Sequence, residues 1–293
     1  MFDLRYHVAS LAAVFLALVI GIVVGVGISG SVSSGEKSLE KQRNVRLQRD
    51  LDAARKASVD LQARQASGQK FMAEAYPVVM ADRLKDKRVA VVYVGAVSSN
   101  LRSLIDRTLA DAGAPQPVRV RALKVPVNPD GIAGALLPRP AISQYIGNEQ
   151  LGPLGRALGA ELVKGVDTPL WDALAGELVD EQFGGLLRPV DGVVVVRTAD
   201  PQTGLTALFL RGLYAGLAAS GAPAVGVEAT TSRPSAIRSF SQNGLSSVDD
   251  LDLPEGRFAL ALLLSGAEQG TYGVKATATD VLPPVPASVP AGG

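Results

Sequence analysis

Side chains able to do chemistry are unevenly supplied in this chain. Among its 293 residues there is no cysteine and a single histidine, His7, which removes disulfides, thiolate metal centres, cysteine nucleophiles and a serine–histidine–acid triad. The lack of cysteine suits an exported domain as well as a cytosolic one. His7 stands beside Arg5 and Tyr6 at the edge of a long apolar run, a setting for an interfacial flank rather than a metal ligand. Carboxylates, lysines, tyrosines and arginines remain. One concentration, Asp249, Asp250, Asp252 and Glu255, offers oxygen ligands suited to a hard cation such as calcium. It lacks the bending glycine of an EF-hand, and acidic residues entering a helix are favoured by the helix dipole alone, so helix entry is the preferred reading. The segment GAVSSN, Gly95 to Asn100, follows a strand and opens a helix, where doubly wound folds receive phosphate on main-chain N–H groups. It has neither three spaced glycines nor a Gly-Lys-Ser/Thr ending, so an ordinary strand-to-helix turn is preferred. No catalytic residue, metal ligand or cofactor is assigned, and the chain is expected not to be an enzyme.

The elements that carry these residues begin with a charge-free run, VASLAAVFLALVIGIVVGVGI, residues 8–28. As a helix rising about 1.5 Å per residue, it covers the roughly 30 Å of a bilayer core and reads as a single transmembrane helix behind a short flank, residues 1–7. A cleaved signal peptide has a shorter apolar region, about 7–15 residues, so an uncleaved anchor is favoured, although Gly27 and Ser29 offer a small-x-small cleavage site. Ala13, Ala17, Gly21 and Gly25 recur every fourth residue, a ridge along which a second helix could approach closely. Ala and Gly are common in this chain and Gly is enriched in spanning helices anyway, so specific pairing and coincidence both stay open.

Residues 29–35, SGSVSSG, read as a flexible hinge. From residue 36 to about 84 a helical stalk is expected, proline-free as far as Tyr76 and rich in Lys, Arg, Gln, Ala and Leu, good helix formers. A heptad places Asn44, Leu47, Leu51, Ala54, Ser58, Leu61 and Gln65 on one seam. The seam is thin, and tethering through paired anchors would raise the effective concentration enough to form it. The competing reading is a charged helix lying along its own domain or a partner. The helix is expected to stop near Pro77.

Residues 85–276 read as an α/β domain with a doubly wound, mostly parallel sheet. RVAVVYVG from Arg88 is a β-branched strand ending in glycine, followed by a helix with Leu101, Leu104, Ile105 and Leu109 on one face. PVRVRALKVP is a second extended segment, and helical patterns follow over 149–164 and 169–179. DGVVVVR, residues 191–197, is continuously apolar, as an interior parallel strand should be. A helix over 204–220 leads to a short strand at 224–228, and about four parallel strands are expected. A further helix follows Pro234, and another begins at Pro254 and Glu255. Residues 277–293, with four prolines, are expected to be disordered. The 29 basic residues are matched by 28 acidic ones and scattered, so no nucleic-acid partner is indicated.

The N-terminal MFDLRYHVASLAAVFLALVIGIVVGVG, the basic stalk, the DGVVVVR strand and the C-terminal LSSVDDLDLPEGRFALALLLSGAEQGTYGVK together resemble the actinobacterial MctB-like family, named for copper transport. The most specific parts are Leu4-Arg5-Tyr6-His7 leading into the run from Ser10 to Leu18, and Ser247-Val248-Asp249 with Gly270-Thr271-Tyr272-Gly273. The resemblance covers nearly the whole chain. It implies a role in moving copper out across the cell envelope, with a channel in a mycobacterial outer membrane proposed for the family. Some members resemble the SteB-type subunit of a membrane complex that controls cell separation and peptidoglycan hydrolysis.

Copper(I) calls for thiolate or thioether ligands and copper(II) for imidazole. This chain offers only His7, Met1, Met72 and Met80. Three readings follow: a copper-handling envelope protein that does not itself ligate copper, a coiled-coil scaffold for a cell-wall or division partner, and an envelope enzyme. Homodimerisation or higher assembly through anchor and stalk is expected. Basic residues near the run, Arg5 on one side against Lys37, Lys41, Arg43 and Arg46 on the other, taken alone would keep the domain inside. The resemblance implies the reverse, an exported domain with a short cytoplasmic start.

Overall fold

The computed structural model describes residues 4–285 apart from 115 and 186, and within the first helix it describes only the backbone at 4–9 and 27–40. Two compact units divide the chain, residues 1–70 and residues 71–293.

The first unit is helical. Helix α1, Leu4–Met80, runs without a break. The expected hinge at 29–35 is corrected here, since its backbone is helical. Once a helix is nucleated, each further residue adds a hydrogen bond at little cost, so a few Gly and Ser residues between good helix formers need not interrupt it. The described side chains of 10–26 and 41–70 are exposed throughout. Among the described residues, no helix is long and apolar enough to cross a membrane. The ends of the expected span, residues 8, 9, 27 and 28, lie outside the described side chains.

The second unit begins with the last turns of α1. The expected stop at Pro77 is also corrected, because the helix continues to Met80. Met80 and Leu84 are fully buried in the domain core, and that burial outweighs the one main-chain hydrogen bond a proline lacks. Tyr76 donates its hydroxyl to Asp111 at 3.0 Å, and the Arg257 guanidinium lies 5.1 Å from the Tyr76 ring centroid.

Seven strands form one sheet: β1 Val89–Val94, β2 Arg119–Leu123, β3 Val179–Phe183, β4 Gly192–Arg197, β5 Ala224–Val227, β6 Ser246–Val248 and β7 Thr271–Tyr272. Their order is β3-β2-β1-β4-β5-β6-β7. All neighbours are parallel except β3, which runs antiparallel to β2 at one edge. The sheet therefore has more strands than the expected four. β6 and β7 are too short, and β3 too polar, to show as apolar runs.

Alternating residues of β1 and β4 enter two separate cores. Ala90, Val92, Val193 and Val195 face one, while Val89, Val91, Val194 and Val196 face the other. The first core is closed by α3 Pro129–Leu136, α4 Leu151–Lys164, α5 Pro169–Leu178, α6 Gly204–Ala218 and α7 Ile237–Gln242. The second is closed by α2 Ser99–Asp111, α8 Pro254–Leu264 and the end of α1. This is the doubly wound arrangement.

Helices α4 and α6 meet backbone to backbone. A Cβ added at Gly155 would strike the carbonyl of Phe209, and one at Gly216 the carbonyl of Arg156.

The expectation of a disordered tail is corrected for its first residues. Gly273 donates to the Asp280 carbonyl at 3.0 Å, Thr279 donates to Thr271 at 2.8 Å, and Leu282 packs against the second core. Residues 286–293 lie outside the described residues.

Candidate functional site

In a doubly wound sheet, ligands gather outside the carboxyl ends of the strands, above all where the strand order reverses. Here the reversal falls between β1 and β4. GAVSSN sits there, as its placement after β1 requires. Thr198 and Ala199 both donate main-chain N–H groups to the Val94 carbonyl at 3.0 Å, and the Thr198 hydroxyl donates to the Ala96 carbonyl at 2.6 Å. Gly95 has φ +104°, and a Cβ there would lie 2.8 Å from both Cβ and N of Ala199. The loop after β4 thus lies directly on the loop after β1, as an ordinary strand-to-helix turn allows. Ser98, at the cap position of α2, makes no side-chain cap bond.

Ionisable groups concentrate instead at the carboxyl ends of β5, β6 and β7. Glu228 follows β5, Asp249 and Asp250 follow β6, and Lys275 follows β7. Lys275 Nζ donates to Glu228 at 2.5 Å and to the Ala229 carbonyl at 3.0 Å. Glu228 also accepts the Ser235 hydroxyl at 2.7 Å and the Ala236 N–H at 2.6 Å. Asp249 accepts the N–H of Val274 at 2.9 Å and of Lys275 at 3.2 Å. Asp252 accepts the Thr230 N–H at 2.7 Å and its hydroxyl at 2.6 Å.

Asp250 differs. It is fully buried, and neither carboxyl oxygen has a hydrogen-bond partner among the described residues. Gly256 leaves no room for a Cβ because the Asp250 carbonyl and carboxyl oxygens occupy that space, and Gly273 leaves none because the Asp249 carboxyl does. Burial first, then the negative charges of Asp249, Glu255 and Asp252, push the Asp250 carboxyl up to about 7. The neutral acid is the form this enclosed place favours.

The cluster therefore works as a clasp. Its carboxylates fasten three strand ends to one another, and the Asp250 carboxyl is shut away from solvent. Glu255 lies in the first turn of α8, where acidic charge opposes the helix dipole. Among the described residues, no group of three or more His, Cys, Asp or Glu side chains is placed to hold a metal ion.

Reading the sequence singled out Asp249, Asp250, Asp252 and Glu255 but missed Glu228 and Lys275. Each of those two stands just beyond a strand. That signal is visible for Glu228 after AVGV but not for Lys275, since a two-residue strand leaves no pattern.

The expected packing and seam residues lie in the first unit. A Cβ added at Gly21 or Gly25 would meet nothing within 4 Å, and Ala13 and Ala17 are exposed. Asn44, Leu47, Leu51, Ala54 and Leu61 are exposed along α1, with the three leucines 63%, 50% and 67% accessible. Of the soft copper donors, Met72 is half-buried and Met80 fully buried. Met1 and the His7 side chain lie outside the described residues.

No curated protein matches the chain. A family model described as "Copper transport outer membrane protein, MctB" matches residues 1–283, and the chain belongs to that family.

Proposed function

We propose that this chain is a membrane-anchored protein of the cell envelope that serves copper export or homeostasis, without enzymatic chemistry and without holding copper itself. The observation that carries this reading is the extent of the family match, residues 1–283, which takes in the apolar run, the long helix and the α/β domain together. The copper-related role therefore attaches to the whole architecture rather than to one domain.

Donor chemistry supports the indirect role. With no cysteine in the chain and Met80 closed inside the core, there is no set of soft side chains to take copper(I) and no imidazole cluster for copper(II). Residues 8–28 act as one spanning anchor with the domain exported. Helices pair along the ridge of Ala13, Ala17, Gly21 and Gly25 and along the seam of Asn44, Leu47, Leu51, Ala54 and Leu61. A pore would need many copies, since one helix satisfies only its own backbone groups in lipid, and the sheet is covered on both faces.

The test is complementation of a deletion strain grown on copper. The strain is expected to become copper-sensitive, and a triple variant His7→Gln, Met72→Leu, Met80→Leu is expected to restore resistance as well as the native chain. Failure of the triple variant, with its expression and melting temperature unchanged, would assign copper ligation to this chain. A deletion strain with native copper tolerance would overturn the copper role.

A further inference from the structure

A cavity of about 710 Å³ opens beside the edge strand β3, between α5 and the loop after β3; its walls include Arg121, Thr168, Trp171, Gln182, Phe183 and Leu187. That volume falls in the range of small-molecule sites. We infer that it binds a small organic anion with an apolar body, its charged head directed to Arg121.

The charge argument starts behind the cavity wall. Arg119 and Arg121 are 2% and 5% exposed, and neither has a carboxylate within ion-pairing distance among the described residues. Arg119 donates to the carbonyls of Leu162, Gly185 and Arg188. Arg121 donates through Nη1 to Val120, Phe183 and Gly184 and through Nη2 to Gly184. Its Nε–H and one Nη2 N–H have no acceptor among the described residues, although the group borders open space. Carbonyl dipoles solvate these two cations but leave their net charge uncancelled in a poorly polarisable setting, so the adjoining space carries a positive potential.

The body of the ligand follows from the remaining walls. The Arg121 guanidinium stands 5.9 Å from the Trp171 ring centroid. Val166, Phe183 and Leu187, exposed at 73%, 57% and 82%, stand at the same opening and give apolar surface that no other described residue covers. Thr168 and Gln182 add hydrogen-bonding groups. Asp172 is the one acidic residue in the lining; it is exposed, so water screens it, whereas Arg121 is shielded.

Trp171 is the only tryptophan in the chain, so its fluorescence reports on this cavity alone. The full chain in phosphatidylcholine vesicles is titrated with 4-phenylbutyrate and, separately, with its uncharged analogue 4-phenylbutan-1-ol. A saturable change with the acid is expected, at a dissociation constant at least about tenfold below that of the alcohol. Arg121→Gln is expected to weaken binding of the acid by about tenfold or more, as loss of a charged hydrogen-bond donor predicts. Leu187→Asp keeps Arg121 and its carbonyl bonds, and its added negative charge at an exposed position is expected to weaken the acid severalfold without changing the far-ultraviolet circular dichroism. Equal affinity for acid and alcohol, no saturable signal, or unchanged affinity in a folded Leu187→Asp protein would each overturn the assignment.

Discussion

Asp249 and Asp250 are chain neighbours with opposite fates. The Asp249 carboxylate accepts the N–H groups of Val274 and Lys275, whereas both oxygens of the equally buried Asp250 are left without a partner among the described residues. The first holds a strand end in place; the second makes the same junction sensitive to protons.

Because burial and like charge raise the Asp250 pKa from 3.8 to about 7, the folded state binds this proton more tightly than the unfolded state. The resulting stability is complete below the unfolded value and is lost as pH rises through the folded one. Asp250→Asn removes the ionisation. Its stability relative to the native chain is expected to grow between pH 4 and 7 by up to about 4 kcal/mol and then level off. Urea denaturation at several pH values measures the difference, and curves that stay parallel across this window would refute it.

The glycines of α4 and α6 make a second prediction. Gly155→Ala or Gly216→Ala places a methyl group against a facing carbonyl and is expected to destabilise the domain by about 1–3 kcal/mol or more. Gly134 and Gly176 also lie within helices but face open space, so alanine at either is expected to stabilise by up to about 1 kcal/mol. Thermal melts of the four variants separate close packing from helix propensity. The same sign in all four would show that the α4–α6 contact does not depend on glycine.

Arg119 holds three carbonyls from two separate segments. Arg119→Met leaves buried acceptors unsatisfied and is expected to cost at least about 3 kcal/mol. Arg119→Lys, whose single ammonium cannot reproduce the fork, is expected to recover only part of this. Chemical denaturation reads both variants, and full recovery by lysine would mean that charge rather than geometry matters.

Ser58 occupies an a position of the stalk heptad, and the chain has no cysteine. If the stalks pair in parallel, Ser58→Cys is expected to give a disulfide-linked dimer on mild oxidation. Adding Leu47→Asp, Leu51→Asp and Leu61→Asp is expected to abolish the crosslink. A monomer on non-reducing gels for Ser58→Cys alone would rule out this register.

Orientation can be read from the same cysteine-free background. Lys164 is exposed, and Lys164→Cys is expected to react with a membrane-impermeant maleimide in intact cells. Labelling that appears only after lysis would place the domain inside and remove the envelope reading.

Local elements are legible in the order of the residues alone. The β-branched runs of β1 and β4, the apolar face of α2 and the proline at the start of α8 each carry their own periodicity or breaker, so the α/β class and most helix positions were legible. The scarcity of soft copper donors, three methionines and no cysteine, was equally plain, because it depends on composition alone. Tertiary structure decided what depends on partners distant in the chain. β3, β6 and β7 are short or polar and become strands only because β2, β5 and β6 respectively present hydrogen-bonding edges to them. Pro77 lies inside a helix because Met80 and Leu84 are buried beyond it. Glu228 and Lys275 meet across 47 residues, and Arg121 reaches carbonyls 62 and 63 residues away; contacts of that range leave no local spacing to read.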